Sequence, residues 1–126
     1  MRRFWIGIGV LTLLLALGLG STVFMKRVHQ PISTDLEQAS KAVLQGNWEI
    51  ATACAQQALA KWESCSSFTA ALADHDVLEA AECLFAQIQV YAAVQDPVSF
   101  SAACAHLSRL TKAIGESHLP KWENLL

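Results

Sequence analysis

From Phe4 to Met25 the chain runs for 22 residues without a charge, FWIGIGVLTLLLALGLGSTVFM, between Arg2-Arg3 and Lys26-Arg27. A run of that length crosses the hydrocarbon core of a bilayer as one helix. In lipid the backbone has to satisfy its own hydrogen bonds, so the segment is predicted to be helical. Its six Leu, two Ile, two Val and two Phe favour insertion by about 5 kcal/mol in total. Gly7, Gly9, Gly18, Gly20, Ser21 and Thr22 erode that sum without reversing it.

A cleaved signal peptide is the competing reading, with residues 13–17 as its apolar centre and Gly18-Leu19-Gly20 as the cut. Apolarity resumes at Val23-Phe24-Met25, however, and stops at a basic pair, as at a membrane exit. The expectation is an uncleaved anchor over residues 1–27. The flanking Lys and Arg tie at two on each side, so the charge rule gives no orientation. With only three residues ahead of the run, the expected arrangement is tail inside and domain outside. Of the nine Lys and Arg, four flank the run and five lie beyond it with all eleven Asp and Glu, leaving that part at net −6. This balance argues against nucleic acid as a partner, because a phosphate backbone needs a basic surface. Thr12, Ala16 and Gly20 fall four apart, a small-residue stripe that lets two such helices approach. Gly and Ala are also simply common in membrane helices.

Beyond the anchor the pattern is all-α. Residues 28–33, with Pro31 among them, read as a linker, and residues 34–126 as a helical domain. Thr34 and Glu37 stand in capping-box spacing. Asn47 follows Gly46, a cap after a helix stop. Asp76 and Glu79 repeat the capping-box spacing, and Asp96-Pro97 is a cap followed by a first-turn proline. The predicted helices span roughly 35–45, 48–73, 77–94 and 97–114, with Gly115 closing the last. In the second, Trp48, Ala55, Trp62 and Thr69 are seven apart, as are Ala51, Ala58, Cys65 and Leu72. Matching apolar stripes run through Val77, Ala81, Leu84, Ile88 and Tyr91, and through Phe100, Cys104, Leu107, Leu110 or Thr111, and Ile114. Each face needs a partner, and very short joints favour antiparallel neighbours. The fold class is therefore one N-terminal transmembrane helix followed by an antiparallel bundle or stacked hairpins of about four helices. Ser64-Cys65-Ser66-Ser67 is the weakest stretch, because these side chains compete for backbone hydrogen bonds.

Leu44-Gln45-Gly46-Asn47-Trp48-Glu49-Ile50-Ala51 is similar to the turn of a tetratricopeptide hairpin, and Val94 to Phe100 is a looser second instance. Cys54 and Cys104 sit at similar places after the two turns. Stable arrays need at least three units and this chain has room for about two, so the likeness speaks for helical hairpins alone. A likeness over nearly the whole chain rests on order and spacing. A short basic start and one anchor helix are followed by Asn47-Trp48-Glu49 with Trp62, then Asp74-His75 opening a helix, Tyr91, a last helix, and Asn124-Leu125-Leu126. In this the chain resembles the domain-of-unknown-function family four-three-six-three. It is richer in Ala and Cys, and poorer in Lys and Glu, than that pattern. The resemblance implies a single-pass membrane protein of Gram-positive, clostridial-type bacteria, and it supplies no active site.

Little in the sequence speaks for catalysis. Cys54, Cys65, Cys83 and Cys104 include no C-x-x-C pair, so the usual zinc and redox signatures are missing. Cys54 and Cys65, eleven apart on one helix, are roughly 16 Å apart and too distant to bond. An extracytoplasmic domain would allow an inter-helix pair such as Cys54–Cys104. The lack of a spacing pattern favours Cys65, Cys83 and Cys104 as small core residues. Asp74-His75-Asp76 is the single acid-histidine cluster. It reads first as a turn that caps the next helix, since a metal site would need ligands from elsewhere. His29, His106 and His118 stand isolated. No nucleophile elbow, phosphate loop or metalloprotease helix is present. The end of the chain, with Pro120, Trp122, Leu125 and Leu126, is expected to fold back over the bundle or to bind a partner.

These readings converge on a membrane-anchored, non-enzymatic helical module in the cell membrane, with no catalytic, cofactor-binding or metal residues. Its expected partners are the lipid bilayer and a membrane or envelope protein or a second copy of itself. The alternative is an extracytoplasmic ligand-binding domain with a pocket near Trp48, Trp62 and Tyr91.

Overall fold

The computed structural model describes residues 1–72 and 74–116. Four helices account for nearly all of them: α1 (Arg2–Leu44), α2 (Trp48–Leu72), α3 (His75–Ala93) and α4 (Pro97–Glu116). No strand occurs among the described residues, so the all-α expectation holds. α2, α3 and α4 begin and end within two residues of the predicted limits.

α1 departs from expectation. The joint at 28–33 is no break, and Pro31 lies inside a 43-residue helix. Burial explains why. Met25, His29, Ile32, Leu36, Ala39 and Val43 are buried, and their alternating spacings of four and three form one continuous stripe along the helix. Pro31 is exposed on the flank of the stripe, where a missing N–H disturbs no packing. Packing along the whole stripe outweighs the local cost of proline, about 3 kcal/mol in a helix interior. Thr34 is accordingly no cap. Its hydroxyl donates to the Gln30 carbonyl one turn back (3.0 Å).

The two far turns share one construction. Gly46 takes φ +79° and Gln95 φ +54°. The Asn47 N–H donates to the Ala42 carbonyl, and the Asp96 N–H to the Tyr91 carbonyl, each at 3.0 Å. This is the Schellman closure. The side chain that follows then caps the next helix: Asn47 Oδ1 accepts from the Ile50 N–H, and Asp96 Oδ1 from the Ser99 N–H, both at 3.2 Å. The Ser99 hydroxyl also donates to Asp96 Oδ2 at 2.7 Å. These bonds from the Ser99 side chain and backbone hold the Asp96 carboxyl below its usual range. The expected box at Asp76 and Glu79 does not form. Asp74 is the N-cap of α3, it makes no side-chain cap bond, and Asp76 lies within the first turn.

The core follows the predicted stripes. Ala51, Ala58 and Thr69 are fully buried, Trp62 nearly so, and Phe100, Cys104 and Leu107 completely. α1 packs most extensively on α4 and then on α2, α3 leans on α4, and α2 and α3 meet sparingly. The α1–α4 seam is antiparallel and built on small residues. Ser33 meets Ser108 (2.9 Å) and Ser40 meets Ser101 (2.7 Å). Gly115 completes the series, since a Cβ there would stand 3.4 Å from the Lys26 Cα. Each step is seven residues on both helices, so hydroxyls and hydrogen let the two backbones come close. Gly115, expected to end α4, thus lies within it.

Candidate functional site

The bundle begins where the apolar run ends. Met25 is fully buried, whereas Phe24 and Val23 are half exposed, and most of the apolar side chains below them are bare. Among the described residues α1 alone is long and apolar enough to cross a membrane. The helix that carries the run is the same helix that carries the stripe of α1 in the core, so no flexible stalk separates the two.

At this junction sits a fully enclosed polar group. His29, isolated in the sequence, is fully buried. Its Nδ1 lies 2.9 Å from the Met25 carbonyl. A carbonyl only accepts, so Nδ1 carries a proton. In the neutral ring Nε2 then accepts from the Thr69 hydroxyl at 3.2 Å. The Trp62 ring stands edge-on to the imidazole, with centroids 6.1 Å apart. Position 29 continues the four-and-three spacing from Met25, and that signal was available in the sequence. Beside His29 a cleft of about 240 Å³ opens between α1 and α4, lined by Lys26, His29, Gln30, Thr111, Lys112 and Gly115.

Higher on the bundle, two ion pairs tie α1 to its neighbours. Lys61 of α2 reaches Asp35 at 2.6 Å, and Lys112 of α4 pairs with Glu37. The hydrogen bond from Lys112 holds the Glu37 carboxyl below its ordinary value, against some desolvation, with help from Ser108 and Lys41.

The sparse α2–α3 seam leaves an apolar cleft of about 200 Å³, floored by Ala55, Leu59, Phe85, Ile88 and Phe100 and edged by Gln56 and Gln89. The three aromatic residues expected around one pocket do not share it. Trp48 packs edge-on against Phe100 with centroids 5.3 Å apart. Trp62 packs on Phe85 at 5.8 Å and lines the adjoining end of the seam with Glu63 and Glu82. Tyr91 borders a separate hollow near Ser99 and His106.

Asp74, His75 and Asp76 are all exposed at the α2–α3 turn. His75 stands 3.6 Å from Glu79 one turn on, an exposed pairing, and no metal-holding group of His, Cys, Asp and Glu occurs among the described residues. All four cysteines are free. Cys104 is buried, and desolvation pushes its thiol up to about 12. Burial also raises the Cys54 and Cys65 thiols. Cys83 departs from the core expectation, because it is exposed on the outer face of α3. Pro120, Trp122, Leu125 and Leu126, expected to cover the bundle or bind a partner, lie outside the described residues.

No curated protein and no solved structure matches the chain. A family model does, over residues 20–125, which takes in the last turns of the apolar run and the whole bundle. The chain belongs to the family described as Domain of unknown function (DUF4363).

Proposed function

We propose that this protein is a single-pass, membrane-anchored helical module that acts by contact, without catalysis, with its bundle on the extracytoplasmic face of the cell membrane. The observation that carries this reading is the continuity of α1. One helix supplies both the bare apolar run and the buried stripe from Met25 to Val43. A bundle joined to the bilayer in this way is held at a fixed height and angle, which suits contact with a membrane or envelope protein or with a second copy. Alkaline carbonate washing of membranes tests the anchor, and the full-length chain is expected to stay in the pellet. Release into the supernatant would sink the reading. Protease added to intact cells should remove the bundle, whereas protection would place it inside. Crosslinking in intact membranes is expected to trap a partner or a dimer.

A second reading has its own observation, the apolar cleft between α2 and α3. A ligand seated on Phe85 would lie close to Trp62, whose ring centroid is 5.8 Å from that of Phe85. Quenching of tryptophan fluorescence by an added ligand, abolished by Phe85→Ala, would favour this reading over the first.

A further inference from the structure

We infer that the cleft between α1 and α4 at the foot of the bundle seats the phosphate of an anionic phospholipid from the leaflet on the bundle's side. The inference rests on the membrane-anchored reading above. The cleft opens at Lys26, one residue beyond the apolar run, which is the depth of lipid headgroups when that run spans the hydrocarbon. Among the described residues its lining includes the side chains of Lys26, Lys112 and Gln30 and no acidic residue. Lys112 is already turned to Glu37. Lys26 has no ion-pair partner among the described residues, and neither does Arg27 beside it. Gly115 carries no side chain toward Lys26 and His29, so the two backbones approach closely there and form the inner wall of the cleft. Below it the half-exposed Val23, one turn before Lys26 on the same side of α1, offers an apolar wall along which an acyl chain can lie. The chain beyond the anchor carries net −6, so an anionic surface would repel most of it. Basic side chains set at the membrane surface offset that repulsion locally and select anionic headgroups. A free phosphate would gain nothing from the apolar wall, so the lipid is the occupant the geometry favours.

The test uses the full-length protein reconstituted in equimolar phosphatidylcholine and phosphatidylglycerol, then moved into a neutral detergent for native mass spectrometry of retained lipid. Phosphatidylglycerol should be enriched over phosphatidylcholine. Lys26→Gln should cut that enrichment about fivefold, equivalent to about 1 kcal/mol for one lysine at a membrane surface. Gln30→Glu, which places a carboxylate in the cleft, should cut it as well. Lys41→Gln makes the same charge change higher on α1, outside the cleft, and should leave the enrichment intact. Equal retention of the two lipids would overturn the inference, as would an equal loss in Lys41→Gln. Stabilisation of the detergent-held protein by inorganic phosphate without lipid enrichment would overturn the lipid assignment. An embedded protein that shows no enrichment sinks this inference alone, whereas release by carbonate sinks the anchor reading beneath it.

Discussion

The hydroxyls of Ser33 and Ser108 meet at 2.9 Å across the α1–α4 seam, both buried, and Ser108 also reaches the Ser33 carbonyl and the Glu37 carboxylate at 3.3 Å each. Together with Ser40–Ser101 and Lys26–Gly115, this contact sets the spacing of the two helices that pack most extensively on each other. Ser108→Ala leaves the Ser33 hydroxyl buried with one partner fewer, which costs about 1–3 kcal/mol. The Ser33→Ala and Ser108→Ala pair should cost less than the two single changes added, because neighbours in one network do not act independently. Thermal melts of the four proteins in one detergent, followed by helical circular dichroism, measure the coupling. Simple additivity would show that the serines do not cooperate.

Gln95 occupies, in a left-handed conformation, the position that Gly46 fills in the sister turn. A residue with a Cβ pays roughly 1–2 kcal/mol there. Gln95→Gly is therefore expected to raise the melting temperature, although it adds a flexible residue to the unfolded chain. The same change at a right-handed position would lower it. A fall in melting temperature for Gln95→Gly would contradict the shared geometry of the two turns.

Much of this fold was legible from spacing alone. The seven-residue repeats of α2, the caps at Asn47 and Asp96, and the stripe of α4 each come from side chains whose local and tertiary preferences agree. The start of the bundle was obscured because local and global signals conflict there. Pro31 and the Thr34–Glu37 spacing both announce a helix start, and Lys26-Arg27 announces an exit. The apolar spacing from Met25 through His29, Ile32 and Leu36 says that the helix continues, and tertiary packing sides with it. His29 belongs to that stripe, but a histidine among apolar positions shows its role only once Thr69 and Trp62 are known to surround it. The α1–α4 cleft was illegible for another reason. Lys26 and Lys112 are far apart in sequence, and only the seven-residue register of two antiparallel helices brings them to one place.

Trp62 is the largest buried link between elements, touching His29 of α1 and Phe85 of α3. Trp62→Ala should cost about 3–5 kcal/mol, a large share of the usual total of about 5–15 kcal/mol. Trp48 is only half buried, so Trp48→Ala should cost clearly less. Denaturant titration of both variants separates them. Equal losses would mean that the Trp62 stripe does not organise the core.

The four thiols should react in a fixed order. Cys83 is exposed and should be alkylated first in the folded protein. Cys104 is buried with its thiol pushed up to about 12. It carries almost no thiolate near neutral pH, and the thiolate is the reactive form. Its modification should wait for unfolding, with Cys54 and Cys65 between the two. Mass mapping after timed exposure to a maleimide reads the order, and early labelling of Cys104 would contradict its place in the core.

Pro31 gives the sharpest test of the continuous helix. In a flexible joint, replacing proline frees the chain and leaves stability unchanged or lower. Inside a helix, Pro31→Ala restores an N–H that can donate to the Arg27 carbonyl one turn earlier, and it removes the ring's clash with that turn. The intrinsic difference between the two residues in a helix interior is about 3 kcal/mol, and relaxation around the proline reduces what is recovered. Because Pro31 is exposed, the change disturbs no core contact. Pro31→Ala is therefore expected to raise the melting temperature and to slow hydrogen exchange at the amides of residues 28–34. A lower melting temperature, or faster exchange across that segment, would mean that the anchor and the bundle are joined by a hinge and not by one helix.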